Sequence, residues 1–180
     1  SDGIGFKGIM MAVQCEAEKA RVAIEKLGLR THVAVACDNG PSSIVLSGAK
    51  AAVKEVLHDC LGGRTAGAKR LSVSHAFHSP LMRPIEHQWR IAVREGIKED
   101  YSPPTNGVVP LVSTVTGGVL FEKSEDLSAI DWEEHWVRQV WCPVLFQSAV
   151  KEAIELTRRP SSIALSSSWI PPDVIVVEIG

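Results

Sequence analysis

The sequence predicts an α/β chain in two parts: an α+β unit of order βαββαβ, followed by the C-terminal part of a larger α/β structure. Three observations carry this. Over residues 1–73 the apolar period switches between two and 3.6 in a fixed order. The string Asp38-Asn39-Gly40-Pro41 is a turn signal between two strand-like runs. Val174–Ile179 is apolar on both faces, as in a central parallel strand, but residues 74–180 hold few companions for it.

The elements follow in order. Ile9–Val13 reads as a strand. Glu16–Leu27 reads as a helix with Ala17, Ala20, Ile24 and Leu27 on one stripe, and Gly28 as its stop. His32–Ala36 and Ser43–Ser47 are strands joined by the turn. Ala49–Leu61 is a helix presenting Ala52, Val53, Val56, Leu57 and Cys60, ended by Gly62-Gly63. Arg70–Val73 is expected as the fourth strand. This is the order of a ferredoxin-like unit.

Ser74–Pro80 is a short polar loop, and a helix with Met82, Ile85, Trp89, Ala92 and Val93 on one face should follow. Tyr101–Gly107 is broken by Pro and Gly, Val108–Val112 is expected as a buried strand, and Thr116-Gly117-Gly118 as a turn. Asp131 should cap a short helix through His135 and Trp136. Phe146, Ala149, Val150, Ala153 and Ile154 mark a last amphipathic helix. Thr157–Pro172, rich in Ser, Arg and Pro, reads as an exposed loop or insertion.

Composition narrows the function. Of 180 residues 45% are hydrophobic and 22% charged, enough for a core, and the net charge of -2 gives no electrostatic case for nucleic acid or an anionic membrane. No apolar run approaches the ~18 residues of a membrane span. Cys15, Cys37, Cys60 and Cys142 are widely spaced with no C-x-x-C pair, which suits a reduced, cytoplasmic protein and signals no zinc site. The chain opens on Ser1 and stops inside a strand pattern, so an excised or incomplete sequence is expected.

The one dense cluster is Val73-Ser74-His75-Ala76-Phe77-His78-Ser79-Pro80-Leu81-Met82. Taken alone it admits three readings: a metal site of His75, His78 and His87, against which Pro80 disturbs helical spacing; loop histidines satisfied by backbone; or a general base for an acyl-transfer nucleophile.

The string Ser74–Met82 resembles the histidine loop of acyl-CoA:acyl-carrier-protein acyltransferases, the malonyl transacylase domains of polyketide and fatty acid synthases. Four further segments resemble that family in the right order. They are the NGP…VSG hairpin at Asn39–Gly48, PLVSNVTG at Pro110–Gly117, YWxRxxRxPVxF at Trp136–Phe146, and the start of an EIGP strand at Val177–Gly180. Thr114 stands where the polyketide branch often has Asn.

The resemblance implies a ferredoxin-like small subdomain, residues 1–73, inserted in an α/β hydrolase-like acyltransferase subdomain, of which 74–180 would be the C-terminal part. It implies that His78 is the catalytic base and that the backbone carbonyl of Gln139 orients its ring. His75 and Phe77, in the H-A-F-H pattern, would set a preference for malonyl over methylmalonyl units. Asn39 is either a cleft residue or an ordinary turn residue. The implied partners are malonyl-CoA, a phosphopantetheinylated acyl carrier protein and the missing N-terminal half of the domain; no metal or organic cofactor is implied. The family's G-H-S-x-G serine is absent from these 180 residues, so the chain alone is expected to be inactive. Two rivals stand beside this reading: a docking module that performs no chemistry, and a nucleic-acid-binding ferredoxin-like domain, which wants a basic face and exposed aromatic strands.

Overall fold

The computed structural model describes residues 8–63, 67–97, 109–122 and 124–158. Strand β1 (Ile9–Val13), helix α1 (Ala17–Lys26), strands β2 (Val33–Gly40) and β3 (Ser43–Gly48), helix α2 (Lys50–Leu61) and strand β4 (Ala68–Arg70) form the first part. The sheet is antiparallel in the order β2-β3-β1-β4, the ferredoxin-like arrangement. β3 lies inside it, and its Ile44, Val45, Leu46 and Ser47 are all buried.

One face of the sheet carries Val13, Val33, Val35, Ile44 and Leu46 against Ala20, Ala23 and Ile24 of α1 and Val53, Val56, Leu57 and Cys60 of α2. All five residues expected on the inner face of α2 are buried. Its end is set by Gly62, whose φ of 60° is costly for any residue with a Cβ. Leu27 departs from the expected stripe: α1 stops at Lys26, Leu27 becomes the cap residue, and it is exposed while Ala23 takes the inner position.

The fourth strand lies earlier than expected, at Ala68–Arg70 rather than Arg70–Val73. Pairing decides this. β1 is five residues long, and its ladder to β4 runs from Val13↔Ala68 to Met11↔Arg70, with Leu71 N–H closing onto the Met10 carbonyl. Beyond Leu71 the chain leaves the edge of β1, where Ile9 pairs only with β3, and Val73 is exposed. The β2–β3 turn is tighter than read from the sequence: β2 continues through two irregularities to Gly40, leaving Pro41 and Ser42 as the turn and Asn39 exposed in the strand.

In the second part a 3-10 turn (Pro80–Ile85) leads into α3 (Glu86–Ile97), followed by β5 (Leu111–Ser113), β6 (Gly118–Phe121), a 3-10 turn over Ser124–Ala129, α4 (Trp132–Gln139) and α5 (Phe146–Arg158). Pro80 and Pro84 explain the 3-10 start, since neither has an N–H for an α-helical ladder. Met82 is buried, but no residue of α3 is fully buried, and Trp89 is exposed although its indole N–H donates to the Trp136 carbonyl at 3.1 Å.

The expected buried strand is corrected. β5 pairs only with β6 among the described residues, and Val109 and Leu111 are exposed. Asp131 caps α4 as expected, its Oδ1 accepting from Glu134 N–H at 2.8 Å. The readings for Tyr101–Gly107, Val108, Val174–Ile179 and the stretch after Arg158 lie outside the described residues.

Candidate active site

The histidine loop is built from the backbone outward. Ala76 is fully buried, and a Cβ placed on Gly8 would lie 2.4 Å from the Ala76 Cβ and 2.5 Å from the Gly48 carbonyl oxygen, so β1 enters against this loop with no room to spare. Ser79 is buried as well. Its Oγ donates to the Ala76 carbonyl at 2.6 Å and accepts from Leu81 N–H at 3.3 Å, which closes the loop and caps the following 3-10 turn.

Between these anchors His78 takes a φ of 55°, and it is the one non-glycine residue with positive φ among the described residues. That conformation costs an L-residue on the order of 1–2 kcal/mol, and such outliers persist where the surroundings dictate them. Here the surroundings are the turn that ends α4. His78 N–H donates to the Val140 carbonyl at 2.9 Å, and ring Nδ1 lies 2.9 Å from the Cys142 carbonyl oxygen. The Gln139 carbonyl also acts on the ring, favouring its protonated form.

A carbonyl only accepts, so Nδ1 of the neutral ring carries the proton and Nε2 keeps its lone pair. Burial holds the His78 pKa below the usual histidine value, and the two carbonyls offset part of that shift. The ring is therefore a neutral base at neutral pH. Among the described residues no hydroxyl or thiol hydrogen-bonds it.

The carbonyl-bearing turn is itself fixed. Val144 N–H donates to the Ala36 carbonyl at 2.7 Å, Asp38 N–H donates to the Val144 carbonyl at 2.9 Å, and Leu145 N–H donates to the Thr114 carbonyl at 2.8 Å. The segment 142–145 thus lies along the β2 edge, with a parallel bridge at Cys37↔Val144. Arg138 Nε donates to the Cys142 sulfur at 3.4 Å.

Both other candidates lie on this loop. His75 is exposed, with Nδ1 2.9 Å from Ser74 Oγ, and its ring centroid is 5.9 Å from that of Phe77, which is 38% exposed. His78 and Gln139 are brought together, while His75 and Phe77 stand beside them at the surface. No group of three or more His, Cys, Asp or Glu among the described residues is arranged to hold a metal ion. Cys15, Cys37, Cys60 and Cys142 form no disulfide. No helix among the described residues is long and apolar enough to cross a membrane.

Sequence reasoning missed the carbonyls of Val140 and Cys142, because a backbone acceptor has no side-chain signature. The one available signal is Pro143, which restricts the residue before it to extended conformations.

The acyl transferase domain family matches residues 3–163. The chain belongs to that family. The chain is 32% identical over 175 residues to a highly reducing polyketide synthase of Preussia isomera, covering 97% of the chain and 7% of the synthase. It is 38% identical over 149 residues to a polyketide synthase of Streptomyces halstedii, covering 82% of the chain and 2% of the synthase. Its fold superimposes on the crystal structure of the acyltransferase domain from the second module of the salinomycin polyketide synthase with a TM-score of 0.66 and 31% identity, over 85% of this chain and 32% of that one. The chain therefore spans less than a tenth of these two synthases and about a third of that solved domain.

Proposed function

We propose that this chain supplies the general base for transfer of a malonyl unit from coenzyme A to the phosphopantetheine thiol of an acyl carrier protein. The observation that carries the proposal is His78: a half-buried neutral imidazole, held in a left-handed loop, with Nδ1 on a backbone carbonyl and Nε2 available. The 180 residues contain no G-x-S-x-G, so the nucleophile comes from polypeptide outside this stretch, and the stretch alone takes up no acyl group.

The steps balance as follows. Nε2 of His78 takes the proton of a serine hydroxyl as its oxygen adds to the malonyl thioester carbon. The tetrahedral adduct collapses, the C–S bond breaks, and the imidazolium returns its proton to the departing coenzyme A sulfur. In the second half the same nitrogen takes the proton of the phosphopantetheine thiol, whose sulfur attacks the serine ester, and then returns it to the serine oxygen. Gln139, with Cys142, orients the ring through its carbonyl. Residues 1–73 act as the small subdomain and 74–180 as part of the large one.

Phe77 and His75 border the space beside the base. A ring at 77 leaves less room for an α-methyl branch, and one methyl is worth ~1–3 kcal/mol of discrimination. The longer polypeptide that includes the nucleophile is expected to load a carrier protein from malonyl-CoA ~10–100-fold faster than from methylmalonyl-CoA, and Phe77→Ala to narrow that ratio to several-fold. Competition of the two thioesters, read by mass spectrometry of the carrier protein, tests this; equal loading by the wild type contradicts it.

The missing serine motif also favours a second reading, a docking module that performs no chemistry. It predicts carrier-protein binding without acyl transfer.

A further inference from the structure

The turn whose carbonyls face His78 is held from outside by a contact that the proposed chemistry does not use. Arg83 lies in the 3-10 turn just after His78, and its guanidinium carbon sits 3.3 Å from the centroid of the Trp141 ring. Arginine over indole is among the best cation–π pairings.

Trp141 stands between Val140, whose carbonyl takes the His78 N–H, and Cys142, whose carbonyl takes the ring. The indole N–H is buried without a hydrogen-bond partner among the described residues. A buried indole ordinarily finds such a partner, so it is the ring face, not the polar edge, that explains the placement.

The guanidinium is oriented from its other side. Arg83 Nη1 donates to Glu86 at 2.8 Å, Glu86 accepts from Arg90, and Arg90 reaches Glu134 at 2.8 Å and Glu133 at 3.4 Å. Arg94 also pairs with Glu133 at 2.8 Å. A line of alternating charge therefore runs from the stack along α3 to α4, the helix that ends at Gln139. The pattern this segment resembles has an arginine at the position of Trp141; here the cation comes from Arg83 across the contact.

We infer that the Arg83–Trp141 stack is a positioning device for His78, pinning the 139–142 turn against the loop that carries the histidine. It touches no reacting atom. The inference rests on the reading of His78 as the base, and its force is geometric: both the backbone and the ring of His78 are tied to this one turn, and a misplacement of ~1 Å at a reacting group can cost ~100-fold in rate.

Four single variants test it. Trp141→Leu removes the ring face and Arg83→Met removes the cation, while Trp141→Phe and Arg83→Lys keep them. In the 180-residue chain the readout is the downfield proton resonance of the His78 ring N–H, assigned by its loss in His78→Ala. It should be sharp in wild type, Trp141→Phe and Arg83→Lys, and broadened by solvent exchange in Trp141→Leu and Arg83→Met. In the longer polypeptide the two disruptive variants should slow serine acylation at saturating malonyl-CoA about three- to tenfold with KM unchanged, and the double variant should be no slower than the worse single.

A resonance missing from the folded wild type, or unchanged in both disruptive variants, overturns the inference. So does a loss confined to KM, or additive losses in the double variant. Arg83 is exposed, so Arg83→Met keeps the test decisive if Trp141→Leu fails to fold. If the resonance follows the expected pattern while wild type takes up no malonyl, the pin stands and the acyl-transfer reading falls.

Discussion

On the proposed reading His78 is the base, and its protonation follows from its surroundings. Burial lowers its pKa, and the Cys142 and Gln139 carbonyls offset part of that shift. The active form is the neutral ring. Serine acylation should therefore rise with pH through a single ionisation whose midpoint lies below the ordinary histidine value of about 6.5, reaching its plateau by neutrality. A pH–rate profile of acyl-enzyme formation checks this, and a midpoint at or above the ordinary value contradicts it. Stability carries the same sign. The unfolded ring binds its proton at the ordinary value and the folded ring only below it, so the contribution of the neutral ring is complete above the ordinary value and is lost as pH falls through that window. His135, lowered by burial and by the Arg138 charge, adds in the same direction.

Among the elements, the first part shows how far sequence reaches and where it stops. The five inward residues of α2 and the pairing order of the sheet follow from periodicity and turns, because each position there meets a partner within the unit. Leu46 is fully buried in β3, between neighbouring strands and under the helices, so Leu46→Ala should cost ~2–5 kcal/mol, measured by urea unfolding of the chain. A loss under ~1 kcal/mol would mean that the packing around β3 is not as described. The fourth strand lies earlier than its β-forming residues suggest, because the chain leaves the edge of β1 after Leu71 and strand formation needs the ladder. The stripe of α3 reads as a buried face, yet it meets too little among the described residues to be covered: Trp89 and Ala92 stay exposed. In the site, the H-A-F-H string was legible. The left-handed φ of His78, the carbonyls of Val140 and Cys142 and the Arg83–Trp141 stack were not, because each depends on which segments meet in space.

On the scale of the whole molecule, one short segment joins everything. Cys142 faces His78, Val144 extends the edge of β2, and Leu145 bonds Thr114 next to β5. His78 is thus located relative to both parts of the chain by backbone hydrogen bonds, which suits the proposed base, a group that would hold its angle through two successive proton transfers. The central claim is that His78 is that base. It is tested most directly by intact-protein mass spectrometry of the longer polypeptide, rapidly mixed with malonyl-CoA, comparing wild type with His78→Ala. The account predicts a covalent malonyl adduct in wild type that forms ~100–10,000-fold more slowly in His78→Ala. An adduct forming equally fast in both, or none in the folded wild type, would contradict it, and absence of the adduct together with retained carrier-protein binding would leave the docking module in its place.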